Sequence, residues 1–123
     1  MIQDIYIIDN TDSVRNVLKN IFKNEVDYQF KSVKTEELNI ALKNIPDMII
    51  IDEDTIDMDI VELCKNIREN EDNSITPIIV ISSEWEKEHR GKGTDQRTQP
   101  GLWRQFVRCG LYQACRCLKE QLL

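Results

Sequence analysis

The residues best equipped for chemistry stand just after short isoleucine-rich runs. Asp9 and Asn10 follow the run from Ile5 to Ile8, Asp52, Glu53 and Asp54 follow Met48 to Ile51, and Ser82 and Ser83 follow Ile78 to Ile81. Carboxylates crowded at the end of a buried segment repel one another and resist desolvation. A hard cation relieves both costs, because it takes carboxylate and carbonyl oxygens as ligands. The groups act together only if the three runs end at one edge of the molecule, so the elements that carry them decide the matter.

Each run is short, β-branched and bounded by polar residues, the pattern of a strand buried on both faces. After Ile5 to Ile8, Asp12 or Ser13 is placed to cap a helix whose Val14, Val17, Leu18, Ile21 and Phe22 share one stripe. A weaker strand is expected at Val26 to Phe30. Thr35 then caps a second helix, with Glu36 and Glu37 in its first turn and Leu38, Ala41, Leu42 and Ile45 as its apolar face, stopped by Pro46. Met48 to Ile51 is the third strand, Val61, Cys64 and Ile67 mark a third helix, and Thr76-Pro77 introduces a fourth strand at Ile78 to Ile81. Doubly buried strands separated by single helices predict a parallel sheet with helices on both sides. In such sheets functional groups gather beyond the carboxyl ends of the strands. Asp9, Asn10, Asp52, Ser82 and Ser83 then face one edge, with the acids at the rim of the core.

Composition narrows the function. At 123 residues and 41% hydrophobic, the chain makes a single domain. Its net charge of −6, with no basic cluster in the first ninety residues, argues against a nucleic-acid surface. No apolar run reaches the length of a membrane span, and the N-terminus lacks a signal-peptide layout, so the expected location is the cytoplasm. The four cysteines are then read as thiols. A zinc site from His89, Cys109, Cys115 and Cys117 is disfavoured, because Cys115 and Cys117 point to nearly opposite sides of a helix.

The stretches IYIIDNTDSVRNVL, PDMIIIDEDTIDMDIVELCKNIR and TPIIVISS resemble, in order and spacing, the first, third and fourth strands of the response-regulator receiver domain of two-component signalling. The resemblance covers about residues 1–90. It implies a doubly wound α/β fold with a parallel five-stranded sheet, flavodoxin-like and ordered 2-1-3-4-5, with an atypical C-terminal part. It further implies a signalling domain rather than an enzyme, in which Asp52 is the phosphoacceptor for a histidine kinase or phosphotransfer protein. Mg²⁺ would be held by Asp9, Asn10, Asp52 and the backbone carbonyl of Asp54. Ser82 matches the switch residue that hydrogen-bonds the phosphoryl group and alters a surface read by a downstream protein partner. Neither a membrane nor direct nucleic-acid binding is implied. Phosphoryl transfer to a carboxylate relies on positioning and charge neutralisation, which such a site supplies.

Three departures stand against the pattern. The second acid after the first strand is Asn10, whose amide oxygen carries no charge, although Asp12 stands two residues on. After Asp52 the usual Pro-Gly and later Gly are replaced by Ile56, Asp57 and Ile60. No Lys-Pro ends a fifth strand; GLWRQF occupies about that place, with Arg104 as a weak stand-in, and arginine is not interchangeable with lysine. These changes favour the alternative of a pseudo-receiver, a protein-interaction module that works without phosphate. Acid-phosphatase-like hydrolysis would also use Asp52 but lacks visible partners.

The chain also changes character along its length. Residues 1–90 carry 10 Lys+Arg against 20 Asp+Glu, a charge of −10, and residues 91–123 carry 6 against 2, a charge of +4. Gly91, Gly93 and Pro100 argue against a helix beyond about Arg90, and Val107, Leu111, Cys115, Leu118 and Leu122 fit a closing helix interrupted by Gly110. The reading is one receiver-like domain over 1–123, family-like over 1–90 and divergent over 91–123. That tail is either a divergent natural end or the product of a frameshift or fusion, with the second slightly favoured. No output domain is seen, so a partner or a further region would carry the response.

Overall fold

The computed structural model describes residues 2–69, 73, 76–84, 107–111, 114–116 and 118. Its elements run β1 (Gln3–Ile8), α1 (Ser13–Ile21), β2 (Tyr28–Val33), a 3₁₀ turn at Thr35–Glu37 leading into a short α2 (Leu38–Ala41), β3 (Met48–Asp52), a second 3₁₀ turn at Glu53–Thr55, α3 (Ile60–Glu69), β4 (Ile78–Ile81) and β5 (Val107–Cys109). The strands form one five-stranded sheet in the order β2-β1-β3-β4-β5, parallel throughout. This is the doubly wound arrangement that the strand patterning predicts.

The isoleucine runs serve both faces of that sheet by simple alternation. Ile8, Ile49, Ile51 and Val80 pack with Leu38, Leu42, Leu63, Cys64 and Ile67, which brings α2 and α3 to one side. Ile5, Ile7, Ile50, Ile79 and Ile81 pack with Val14 and Leu18 of α1, with Phe22 just past its end, and with Ala114 and Leu118 of the C-terminal helical residues on the other. All five residues of β3 are buried, and Ile49, Ile50 and Ile51 lose all their exposure. Each such side chain is worth about 2 to 3 kcal/mol of hydrophobic burial. The strand is thereby fixed in register, and with it the residue that follows the last isoleucine.

Several elements depart from the sequence reading. β2 begins two residues later than expected and runs on to Val33, leaving Val26 84% exposed. β-branching at Val26 counted for less than the burial of Phe30 on one face of the sheet and of Val33 on the other. The second helix is reduced to a 3₁₀ turn and one α-turn, and Ile45 lies outside it, 54% exposed. The turn is entered from Lys34, not Thr35. Val107 belongs to β5 and not to the closing helix, whose described residues are 111, 114–116 and 118. Three residues pairing with β4 satisfy backbone groups that a helical reading of the same apolar spacing would have left beside an open strand edge.

Candidate functional site

The parallel register carries β1, β3 and β4 to one carboxyl-terminal edge, where Asp9, Asp52 and Ser82 are buried at 0%, 5% and 1% exposure. Asp9 has two tasks there. One carboxylate oxygen accepts from the Thr11 N–H at 2.8 Å and the Thr11 hydroxyl at 2.9 Å, and the other accepts from the Val14 N–H at 2.9 Å. The last bond satisfies a first-turn amide of α1, so Asp9 does the capping expected of Asp12 or Ser13. Asp12 instead takes the left-handed conformation, with φ of 64°, and makes no side-chain cap bond. Burial works to raise the Asp9 pKa, but these N–H and O–H donors prevail and hold it below the ordinary carboxylate value.

Asp52 lies in the opposite situation. Burial, then the charge of Asp9 and, less strongly, that of Asp54, push its pKa up from 3.8 to about 6 against one bond from the Asp54 N–H at 3.2 Å. It therefore carries an electrostatic strain that a cation or a proton relieves. The loop beyond it is held by Thr55, whose hydroxyl donates to the Asp52 carbonyl at 3.2 Å. This 3₁₀ turn, Glu53–Thr55, is the conformation taken in place of a Pro-Gly turn. The Asp54 carboxylate accepts from the Ser83 N–H at 3.3 Å, tying the end of β3 to the end of β4.

Asn10 is a brace. Its N–H donates to the Thr55 hydroxyl at 3.1 Å, its side-chain amide donates to the Thr55 carbonyl at 2.9 Å, and its amide oxygen accepts from the Thr35 N–H at 3.4 Å. The loops after β1, β2 and β3 are thus joined through one side chain. The Asn10 amide oxygen, expected as a metal ligand, makes only this one long bond among the described residues and keeps a second lone pair. Among the described residues no group of three or more His, Cys, Asp or Glu side chains forms a metal site. The two coupled carboxylates, Asp9 and Asp52, nevertheless have the oxygen chemistry and uncompensated charge that suit Mg²⁺.

Arg104 lies outside the described residues. Among the described residues, the arginine that reaches this edge is Arg108 in β5, which sequence reasoning missed. Its guanidinium grips the Glu53 carboxylate, with Nε 3.0 Å from Oε2 and Nη2 3.1 Å from Oε1, and Nη2 also lies 3.4 Å from the Ser82 hydroxyl. The pair is only half-buried, at 34% and 26% side-chain exposure. Ser82 is further fixed by its N–H, which donates to the Cys109 carbonyl at 3.0 Å. β5 ends at Cys109, later than the GLWRQF stretch expected to stand for the Lys-Pro, and Cys109 is buried in the apolar core. A polar residue between Val107 and Cys109 is the alternation of a strand, but over three residues that signal is too short to outweigh helical spacing.

A sequence model described as the response regulator receiver domain matches residues 5–113. The chain belongs to the response regulator receiver family. The match continues past residue 90, where the sequence resemblance was expected to fade, and takes in β5. The chemotaxis response regulator CheY4 of Vibrio cholerae is similar in fold, with a TM-score of 0.62 at 20% identity over 98% of each chain. So is the signal receiver domain of a signal transduction histidine kinase from Syntrophus aciditrophicus, with a TM-score of 0.60 at 20% identity over 98% of this chain and 89% of that one. No curated protein matches the chain. Receiver domains of this family are signalling domains of two-component systems rather than conventional enzymes; they generally bind Mg²⁺ at an acidic pocket and interact with histidine kinases and downstream partners. No helix among the described residues is long and apolar enough to cross a membrane.

Proposed function

We propose that the protein is a phosphoacceptor receiver domain that takes a phosphoryl group on Asp52 from a sensor histidine kinase or phosphotransfer protein in the cytoplasm. The observation that carries this reading is the buried Asp52 carboxylate at the end of β3, beside the acid of Asp9 and facing the Ser82 edge of β4. A carboxylate oxygen of Asp52 attacks phosphorus while the donor's bond to phosphorus breaks, leaving an acyl phosphate and a free donor. The ionised form is needed, so the reaction slows as Asp52 gains a proton. Asp9, kept ionised by its donors, cannot compete for that proton, and it holds the first turn of α1 while doing so. Mg²⁺, held by Asp9 and Asp52 with the Asp54 carbonyl, would supply charge neutralisation. Ser82, whose hydroxyl is within reach of Arg108, is the group proposed to answer the phosphoryl oxygens and pass the change through β5 to a downstream partner.

A second reading is supported by Asn10. It gives the edge one acid fewer than the family pattern, and its amide, bonded to Thr55 and Thr35, braces the loops as they stand. A pseudo-receiver that binds partners without phosphate has that character. The readings separate on incubating the protein with Mg²⁺ and acetyl phosphate and weighing it intact beside Asp52→Asn. A phosphoryl adduct in the parent alone supports phosphotransfer; no adduct at saturating Mg²⁺, with the fold verified by circular dichroism, supports the pseudo-receiver.

A further inference from the structure

A groove of about 770 Å³ runs beside β2 and reaches, at one end, Asp12, Lys34 and Glu37 in the loops after β1 and β2. One wall is α1 and the turn after it, with Arg15 and Lys19 one helical turn apart on α1 and Phe22 and Lys23 just past its end. The other wall is β2 itself, from Tyr28 to Ser32 without a gap. Successive residues of a strand point to opposite faces, so an opening that touches every one of them must follow the strand's edge. β2 is the outermost strand of the sheet among the described residues. Its Asp27 and Val33 carbonyls accept from the Gln3 and Asp9 N–H groups of the β1 side. By the alternation of a parallel ladder, the backbone N–H and C=O of Phe30 and Ser32 are turned outward, toward the groove.

The charge of this groove is opposite to that of the protein. Five cations, Arg15, Lys19, Lys23, Lys31 and Lys34, line it against three acids, within a chain of net charge −6. Its two walls each include a residue with a buried polar atom that has no hydrogen-bond partner among the described residues, Arg15 Nε on the helix and Ser32 Oγ on the strand. Such groups are costly to leave unmatched. Lysines on an edge strand serve by themselves only to discourage indiscriminate pairing. With a second row of cations on the facing helix and a floor of Phe22 and Phe30, they select for a strand of opposite charge.

We infer that the groove takes an extended acidic segment of another protein, which adds to the outer edge of β2 as a further strand. Main-chain bonds to Phe30 and Ser32 supply the affinity, and alternate carboxylates seated on the α1 and β2 cations supply the selectivity. The inference does not depend on chemistry at Asp52.

The test uses a short fluorescent peptide of alternating glutamate and valine, with a lysine-valine peptide and an oligothymidylate of matched charge as rivals. The acidic peptide should bind the whole protein, more weakly as salt rises. Amide hydrogen exchange at Phe30 and Ser32 should slow in the complex, and the Lys19→Glu, Lys23→Glu double variant, folded by circular dichroism, should bind about tenfold more weakly, since both sites are exposed rim charges. Failure of the acidic peptide to bind at low salt, equal binding of the lysine peptide, tighter binding of the oligothymidylate, unchanged exchange at Phe30 and Ser32, or an unaffected double variant would each overturn the inference.

Discussion

Asp52→Asn should make the protein more stable while abolishing its proposed chemistry. A carboxyl whose pKa rises from 3.8 to about 6 on folding is penalised in its ionised form, here by burial first and by the Asp9 charge second. That shift corresponds to a cost of about 3 kcal/mol. The sign follows from linkage. The full cost is felt above pH 6, where Asp52 is ionised in both states; it declines as falling pH protonates the folded form and vanishes below 3.8, where the unfolded form is protonated too. By pH 5 about half remains. Asparagine keeps the shape and loses the charge, but its weaker acceptor for the Asp54 N–H returns about 1 kcal/mol, leaving a net gain of about 2 kcal/mol. Urea unfolding followed by circular dichroism should therefore show the variant's midpoint about 1 M higher at pH 8, with the gap reduced to about a quarter of that at pH 5. A variant that is neutral or less stable at pH 8, or whose advantage does not change with pH, would refute the account of Asp52 as a strained, buried acid.

Other expectations follow from neighbouring contacts. Asn10→Asp removes the donor to the Thr55 carbonyl and adds a charge near Asp9, so it should cost about 1 to 2 kcal/mol without Mg²⁺ and recover much of that in millimolar Mg²⁺, as read by parallel urea titrations. Arg108→Ala breaks a half-exposed ion pair and should cost less than about 1 kcal/mol, yet phosphotransfer from acetyl phosphate should change by more than that stability loss explains; equal, small effects on both would leave Arg108 a surface residue. Cys64 is fully buried and its thiol is pushed up to about 12, chiefly by burial, so a thiol reagent at pH 8 should leave it unlabelled in the native protein while half-buried Cys115 reacts. Peptide mapping after labelling distinguishes the two.

The sheet was legible in the sequence because its central strands announce themselves. Four isoleucines from 49 to 51 and at 78 and their neighbours leave no polar face, which only a strand covered on both sides accommodates. That placed Asp52 and Ser82 at strand ends with little latitude. What sequence patterning could not supply was the partnership of polar side chains. Nothing in the spacing of Asp9 and Val14 says that one caps the other across the loop, or that Asn10 turns its amide to Thr55 and Thr35 and not to the acids. Asp12 was the better cap by residue type, but its left-handed backbone gives that task to the buried acid. β5 was hidden for a different reason. Val107, Leu111, Cys115 and Leu118 fit a helical stripe, and only pairing with β4 separates the first of them as a strand residue and delivers Arg108 to Glu53.

The central claim is that Asp52 itself becomes the acyl phosphate, and the most direct measurement is its chemical trapping. Borohydride reduces an acyl phosphate to the alcohol, releasing phosphate and converting the aspartate to homoserine, while ordinary carboxylates do not react. The protein is to be treated with acetyl phosphate and Mg²⁺, reduced, digested and mapped by mass spectrometry. Homoserine at position 52, absent without the phosphodonor, is the predicted result. Homoserine at another acid, or at none with the protein folded and Mg²⁺ saturating, would contradict the assignment.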